Sequence, residues 1–221
     1  MTVLYEDNHI IIVNKLPGEI VQGDKTGDEP LSEKIKQYLK EKYNKPGNVF
    51  CGVVHRIDRP VGGLVVFAKT SKALTRLNEM LQKGEIKKTY WALVKGFPEK
   101  ESDVLTNFLV SDGRLNKTFV TNKETPEAKK AVLKYTTIAK GDNYSLLEIN
   151  LLTGRKHQIR AQLSNIGHPI KGDLKYGSKR SNPDGSISLL AHHIEFTHPV
   201  SKNLISLDAP LPEEFKKFTD K

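Results

Sequence analysis

The segment HRIDRPVGG at residues 55–63 places one carboxylate, Asp58, between two arginines. The flanking Arg56 and Arg59 favour the ionised form of Asp58 through Coulomb attraction. A carboxylate held as an anion can act as a nucleophile or as a base, and the Pro and Gly residues that follow fit a loop of fixed backbone shape. The same pattern also fits a structural ion pair that ties down a loop.

A second segment, TGRKHQIR at residues 153–160, leads from a turn into a helix. Four basic residues fall within two turns: Arg155, Lys156, His157 and Arg160. Positions three apart share a helix face, so His157 and Arg160 are expected to point the same way. The unpaired N–H groups of a helix N-terminus attract anions, which makes this segment a candidate anion site. A solvated basic helix end is the alternative interpretation.

The third segment, KKTYWALV at residues 87–94, places two lysines before two aromatic residues at the start of a strand. Alternation puts Tyr90 on one face of the strand and Trp91 on the other. A tyrosine ring offered to a cleft can stack on a nucleobase, which is worth about 1–3 kcal/mol. Alternatively, both aromatic residues belong to the hydrophobic core.

Metal and cofactor chemistry has no recognisable pattern in this sequence. None of the seven histidines belongs to an HExxH motif, and the adjacent His192 and His193 face opposite ways on a strand. The GxxxxGK[ST], GxGxxG and GxSxG motifs do not occur. The single cysteine, Cys51, permits no intramolecular disulfide and no Cys/His cluster. We therefore expect no metal and no cofactor.

The charge of the chain predicts a polyanionic partner. The 221 residues include 35 Lys and Arg against 26 Asp and Glu, a surplus of nine positive charges. This surplus favours RNA, DNA or an anionic surface. No stretch approaches the roughly 18 apolar residues that a membrane span needs, and no export signal is visible at the N-terminus. We expect a cytoplasmic protein with no membrane partner.

Hydrophobic spacing and turn residues predict the elements that position these segments. In the first half we expect a hairpin from residues 3–5 and 10–13, and a buried strand at 63–69. A first helix is predicted from the spacing of Leu31, Ile35, Tyr38 and Leu39 and is closed by Pro46-Gly47, and a second is capped by Thr70 or Ser71. The second helix is expected to bury one face, composed of Leu74, Leu77, Met80 and Leu81.

The second half of the chain is richer in strands. They are predicted at residues 89–94, 104–110, 117–121, 130–138, 144–152, 189–196 and 204–207, with helices at 157–165 and 212–218. Many strands joined by short polar turns predict an α+β fold with a mixed, largely antiparallel central sheet and flanking helices. Neither a repeat nor a long linker interrupts the chain, so we expect a single domain over residues 1–221.

In this order, HRIDRPVGG, KKTYWALVKG and LLTGRKHQIRAQLSNIGHPIKGDLKYG resemble the RluA-type RNA pseudouridine synthases, which isomerise uridine in ribosomal and transfer RNA. The opening VLYEDNHIIIVNKLPG and the closing FTHP look like the start and end of the same family, so the resemblance covers nearly the whole chain. It implies the pseudouridine synthase catalytic fold, a cofactor-free isomerase, and RNA as the partner. We expect a monomer, without the N-terminal S4 domain that some relatives carry.

The resemblance also implies roles for individual residues. Asp58 corresponds to the catalytic aspartate, Tyr90 to the tyrosine that stacks on the target uracil, and Arg160 to the arginine that pairs with the aspartate. Arg56 is associated with opening the RNA around the flipped nucleotide. The further RNA contacts expected are Arg59, Lys69, Arg155, Lys156 and His157.

Three positions depart from the family pattern. Val61-Gly62-Gly63 stands where the family often has Thr-Ser-Gly, so two hydroxyls beside the catalytic loop are lost. Pro17 is displaced by one position within NKLPG, and Leu190 stands where the family often has His. None of these changes removes a catalytic group, so we expect them to affect loop detail and substrate preference.

Two hypotheses from different classes follow from the sequence. The first is an RNA pseudouridine synthase, and the second is a non-catalytic RNA-binding or ribosome-assembly protein on the same fold. Both predict RNA binding that weakens steeply with salt. The presence of Asp58, Tyr90 and Arg160 together favours the enzyme, because binding alone has no need for an acid among phosphates. A metal-dependent nuclease lacks the clustered carboxylates that hold two metals.

Overall fold

The computed structural model describes residues 1–219, which form an α+β fold with a mixed, mostly antiparallel sheet and four α-helices. In chain order the elements are β1 (Thr2–Glu6), β2 (Ile10–Lys15), α1 (Leu31–Lys42), β3 (Gly52–Val53), β4 (Gly62–Ala68), α2 (Ser71–Gln82), β5 (Lys87–Lys95), β6 (Ser102–Asp112), β7 (Lys117–Thr121), β8 (Lys129–Lys140), β9 (Tyr144–Leu151), α3 (Gln158–Asn165), a 3-10 helix (Leu174–Tyr176), β10 (Leu189–Thr197), β11 (Leu204–Asp208) and α4 (Glu213–Thr219). Every helix in the described part of the chain is too short or too polar to span a bilayer.

The chain divides into two compact units. Unit 1 comprises residues 1–87 and 191–210, and unit 2 comprises residues 88–190 and the C-terminal residues from 211. The single domain expected over residues 1–221 stays a prediction.

Unit 1 is built on a hairpin and two buried strands. β1 pairs with β2, β2 with β4, and β10 follows β4, while β3 pairs with β4 and β11 with β10. β4 is buried along its whole length, which explains its continuous apolar run. The helix α1 buries Leu31, Ile35 and Leu39, which lie four residues apart on one face.

Unit 2 contains the strands in the order β5–β9–β8–β6–β7, with every neighbouring pair antiparallel. α3 packs against this sheet, where Ala161 joins the buried Leu109 and Ala131. Gln162 fixes the position of α3, because its buried amide donates to the Leu105 carbonyl at 3.2 Å and to Asn107 Oδ1 at 2.8 Å.

The structure confirms the predicted α+β class and all the strands and helices that were expected from the sequence. Two elements were not predicted, namely β3 and the 3-10 helix, and both are only two or three residues long. The inward face of α2 also differs from expectation. Only Leu77 of the four predicted residues is fully buried, and Ala73 is buried beside it. Leu74 packs instead over Gly52 of β3, which has no side chain to exclude it.

Candidate active site

Asp58 lies in the loop that joins β3 to β4, in unit 1. Its side chain is half-buried, while its neighbour Ile57 is buried and anchors the loop to the core. The Val61 amide donates to the Asp58 carbonyl at 3.0 Å, which closes a tight turn. His55 fixes the start of the loop, because its Nε2 accepts the Val66 amide at 3.2 Å. These contacts hold the backbone on both sides of the carboxylate.

A fully buried lysine binds the backbone of this loop. Lys15, at the end of β2, donates to the carbonyl oxygens of Leu16 at 2.9 Å, Arg59 at 3.1 Å and Val61 at 2.7 Å. Burial lowers the pKa of Lys15 to about 8, against the upward pull of the Glu19 and Asp58 carboxylates. The Lys15 ammonium group therefore supplies both a backbone clamp and a positive potential for the Asp58 loop.

Gly63 explains how β4 can start so close to this loop. Its φ is +115°, in the region that favours glycine, and an added Cβ would lie 2.3 Å from the Ala191 carbonyl oxygen. No other residue fits this position without displacing the backbone of β10. The loss of two hydroxyls in Val61-Gly62-Gly63 therefore leaves in place the glycine that the geometry requires.

The three basic residues predicted to contact RNA from unit 1 have different environments. Arg56 is exposed. The Arg59 guanidinium contacts Asp28 at 2.6 Å and Thr26 at 2.8 Å. The Lys69 side chain is 5% exposed and its ammonium is bonded to Glu6 at 2.7 Å, and its expected contact with RNA stays a prediction.

Tyr90 lies on β5 in unit 2, opposite Ile149 of β9, with 6% of its surface exposed. Tyr90, Ala92 and Val94 share one face, as the alternation predicts, and all three are buried. Trp91 points to the other face, where its Nε1 lies 3.5 Å from Glu148. Packing on both sides of β5 therefore fixes the orientation of the Tyr90 ring.

Arg160 lies on α3 in unit 2 and forms a buried two-pronged ion pair with Asp173. Its Nε donates to Asp173 Oδ2 at 2.7 Å, and its Nη2 donates to Oδ1 at 2.9 Å. The exposed side-chain fractions are 6% for Arg160 and 1% for Asp173. The guanidinium also lies 4.9 Å from the centre of the Tyr176 ring.

His157 precedes α3 in a left-handed backbone conformation, with φ of 52°. Its Nδ1 lies 2.9 Å from the Tyr176 hydroxyl, which also accepts the Thr118 amide at 2.8 Å. His157 and Arg160 therefore both contact Tyr176, but His157 stands outside the helix, so the shared helix face predicted from their spacing is not the reason. Arg155 and Lys156 are exposed beside them.

Sequence reasoning missed three residues that organise these groups: Lys15, Asp173 and Tyr176. Asp173 and Tyr176 belong to the GDLKYG segment, which the family resemblance included without giving them roles. Lys15 is the last residue of β2, after the apolar run at residues 10–13 and Asn14, and a charge at the end of a buried strand was the available signal. Among residues 1–219, no three His, Cys, Asp or Glu side chains group together as a metal site. The chemistry available here is that of a carboxylate, an aromatic ring and basic groups.

Comparison with known proteins identifies the family. Residues 9–165 match the family described as RNA pseudouridylate synthase. The chain is 34% identical to the ribosomal large subunit pseudouridine synthase C of Buchnera aphidicola, over 97% of this chain and 68% of that protein. It is 31% identical to the ribosomal large subunit pseudouridine synthase D of Zymomonas mobilis, over 98% and 71%. The solved structure of human RNA pseudouridylate synthase domain containing 4 has a TM-score of 0.81 at 21% identity, covering 97% of this chain and 90% of that one.

These findings agree at the levels of sequence and fold. The matched residues 9–165 include the Asp58 loop, Tyr90 of β5 and Arg160 of α3. The structural likeness, at 21% identity, shows the fold, and the relatives above 30% identity show the family. The chain therefore belongs to the RNA pseudouridylate synthase family, whose members are isomerases that act on RNA.

Proposed function

We propose that this chain converts specific uridines of large-subunit ribosomal RNA to pseudouridine, with Asp58 as the catalytic residue. The observation that carries the proposal is the clamped Asp58 loop. A buried ammonium group binds three backbone carbonyls around this one carboxylate, an arrangement that holds a reactive group in place before substrate arrives. The names of the relatives from Buchnera aphidicola and Zymomonas mobilis support ribosomal RNA as the substrate class.

The reaction fits a carboxylate working without a cofactor. Isomerisation breaks the bond between ribose C1′ and uracil N1 and forms a bond between C1′ and C5. The proton on C5 is lost and N1 gains one, so the reaction involves no net oxidation and no external group. Asp58 acts either as a nucleophile toward C1′ or as the base that removes a ribose proton.

Tyr90 and Arg160 complete the proposed site. The resemblance assigns Arg160 to pair with the catalytic aspartate, and we propose that its positive charge keeps Asp58 ionised. Tyr90, whose orientation is fixed by its neighbours in β5 and β9, stacks on the target uracil. Uridine must leave its base stack to reach the acid, at a cost of a few kcal/mol. Stacking on Tyr90 and contacts from Arg56 offset that cost.

Exposed basic residues supply the remaining RNA contacts. Arg56 in unit 1, and Arg155 and Lys156 in unit 2, are free of carboxylate partners among residues 1–219 and fit phosphate binding. We propose that Arg59 and His157 also contact RNA, although Arg59 is bonded to Asp28 and His157 to Tyr176 within the protein. We further propose that the chain acts as a cytoplasmic monomer. Light scattering should then give a mass near 24.8 kDa in solution.

The test is to map pseudouridine in cellular RNA in the presence and absence of the protein, by carbodiimide modification and primer extension. The map covers ribosomal and transfer RNA, so it also names the substrate. The Asp58→Asn variant removes the charge with little change in shape, and it should abolish the modification while RNA binding persists. Asp142→Asn alters an exposed carboxylate in the turn after β8 and serves as the matched control.

Each outcome of this map decides between the two hypotheses. Sites that depend on the wild-type protein and vanish with Asp58→Asn support the enzyme. A protein that binds RNA but creates no site is the non-catalytic alternative. Full modification by Asp58→Asn would overturn the role of Asp58.

A further inference from the structure

Lys88 occupies an unusual place at the start of β5. It precedes Tyr90 by two residues, so strand alternation puts both side chains on the same face. The adjacent Lys87 points to the opposite face, is 75% exposed, and is bonded to Glu195 at 2.7 Å. Lys88 is partly buried, and burial lowers the pKa of its ammonium group. Two neighbouring lysines therefore have opposite environments.

Within residues 1–219 the Lys88 ammonium has neither a hydrogen-bond acceptor nor an ion-pair partner. Burial is the whole cause of its lowered pKa, and no carboxylate pulls the pKa back upward. Removing a charged group from water without a partner is unfavourable in the free protein. An anion from outside the chain would supply the partner that the Lys88 ammonium lacks in the free protein.

The surroundings of Lys88 are basic. Thr89 pairs with Asn150 of β9, and the chain leaves β9 to form the turn that contains Gly154. The Lys88 ammonium lies 3.9 Å from the position that a Cβ on Gly154 would take. The next two residues, Arg155 and Lys156, are exposed, and the Arg155 Nε donates to the backbone carbonyl of Lys130. We name Lys88, Gly154, Arg155 and Lys156 the Gly154 cluster.

We infer that Lys88 binds a backbone phosphate of the RNA next to the nucleotide that stacks on Tyr90. This inference rests on the proposed function and extends it to a contact point for the substrate backbone. A phosphate oxygen supplies the acceptors that the ammonium lacks in the free protein, and the glycine leaves room beside the ammonium for that anion. Arg155 and Lys156 bind the phosphates that follow along the strand.

The test compares Lys88→Met with the matched control Lys87→Met, which removes the same charge from the opposite face of β5. Binding to fragments of large-subunit ribosomal RNA is measured by filter retention over a range of salt concentrations. We expect Lys88→Met to weaken binding about tenfold and to lower the salt slope by about 0.7–0.9, the contribution of one phosphate. Lys88→Arg should recover most of the affinity, and Lys87→Met should bind like the wild type.

Thermal unfolding provides a readout that a structural lysine would not give. Replacing a partly buried, unpaired ammonium with an apolar chain of similar length should raise the melting temperature of the free protein by about 2–4 °C. Loss of both stability and binding in Lys88→Met would assign the residue to the fold and overturn the inference. Unchanged affinity and salt slope would overturn it as well.

A substrate with one methylphosphonate linkage locates the phosphate. In an RNA that spans the mapped uridine, neutralising the contacted phosphate should weaken wild-type binding and leave Lys88→Met binding unchanged. If every methylphosphonate linkage weakened RNA binding by the wild type and by Lys88→Met by the same factor, the contact between Lys88 and a phosphate would be overturned. Failure of the proposed function is distinguishable, because it removes the modification in the wild type while the binding and melting comparisons still decide the role of Lys88.

Discussion

In the free protein, contacts with Asp173 and Tyr176 already fix the side-chain conformation of Arg160. Asp173 takes two of its donors in a fork, and the ring of Tyr176 lies against the guanidinium plane. The protein therefore sets the rotamer of Arg160 before any substrate binds. A group positioned in advance contributes to catalysis without reorganising during the reaction. If Arg160 has its proposed role, we predict that Asp173 acts as a positioning residue through Arg160.

Asp173→Asn tests this pairing. The substitution removes the charge of Asp173 from a buried ion pair, and removing one partner of such a pair costs about 3–5 kcal/mol of unfolding free energy. Urea unfolding should show this loss, and kinetics on the mapped RNA should show a fall in kcat that exceeds any rise in KM. Restoration of kcat by Asp173→Glu would support a positioning role.

The control for Asp173→Asn is Asp103→Asn, which breaks the exposed pair between Asp103 and Lys100. Pairs of that kind contribute about 0–1 kcal/mol, so this variant should unfold like the wild type. Equal unfolding curves for both variants would contradict the importance of the buried fork.

At the scale of elements, Glu6 joins three parts of unit 1. Its carboxylate, at the end of β1, accepts hydrogen bonds from Tyr38, Lys42 and Tyr43 in and after α1, and from Lys69 after β4. Burial alone would raise the pKa of Glu6, but the four hydrogen bonds outweigh burial and hold the pKa at about 2. One ionised group therefore links helix α1 and the residue after it to both β1 and the end of β4, in addition to the apolar face that α1 buries.

This attachment predicts a loss of stability in acid. A glutamate titrates near 4.5 when unfolded and near 2 here, so its contribution is fully present above pH 4.5 and disappears as pH falls toward 2. Glu6→Gln should remove on the order of 2 kcal/mol of unfolding free energy at pH 7 and flatten the acid dependence. Denaturant unfolding at several pH values measures both effects.

Glu213→Gln is the corresponding control for the acid titration. Its carboxylate is 79% exposed and bonded only to Lys216 among the described residues, so its removal should leave the acid dependence unchanged. If the unfolding free energy of Glu6→Gln kept the wild-type dependence on pH between 2 and 4.5, Glu6 would not be the source of the acid sensitivity.

Hydrophobic spacing and caps predicted most of the elements because the signals are local. Thr70 caps α2 by accepting the Ala73 amide, and β4 is a continuous apolar run between turn residues. β3 was missed because two residues carry no periodicity. The inward face of α2 was misassigned because Gly52, a residue far away in sequence, makes room for Leu74.

The site was less accessible from the sequence than the fold. Motif spacing located Asp58, Tyr90 and Arg160, and their roles stay predictions. The Arg160–Asp173 fork and the three carbonyls bound by Lys15 depend on tertiary contacts that no local pattern encodes. Lys69 illustrates the same limit: the sequence could not show that β1 supplies the Glu6 carboxylate bonded to its ammonium, and its expected RNA contact stays a prediction.

At the scale of the whole molecule, the surplus of nine positive charges predicts salt-sensitive RNA binding. Three exposed cations are proposed contacts, namely Arg56, Arg155 and Lys156. Changing all three to Gln should lower the slope of log Kd against log salt concentration by about 2–3, since each phosphate contact contributes about 0.7–0.9. Filter binding from 50 mM to 200 mM salt, a range of about fourfold, resolves this difference.

A second triple variant separates local contacts from overall charge. Lys40, Lys72 and Lys83 are exposed in or after the helices of unit 1, and changing them to Gln removes the same net charge. This variant should keep nearly all of the wild-type slope. If both triple variants lowered the salt slope equally, RNA binding would depend on net charge and not on defined contacts.

The clamp formed by Lys15 has a consequence for how this loop can evolve. Its three acceptors are backbone carbonyls, which every amino acid provides, and no side chain of residues 59–61 takes part. Mutations can therefore accumulate around Asp58 without losing the hold on its backbone. The side chains of Val61-Gly62-Gly63 take no part in this clamp. The clamp requires one lysine side chain of a neighbouring strand, so the side chains of the loop can change with substrate preference while the clamp is kept.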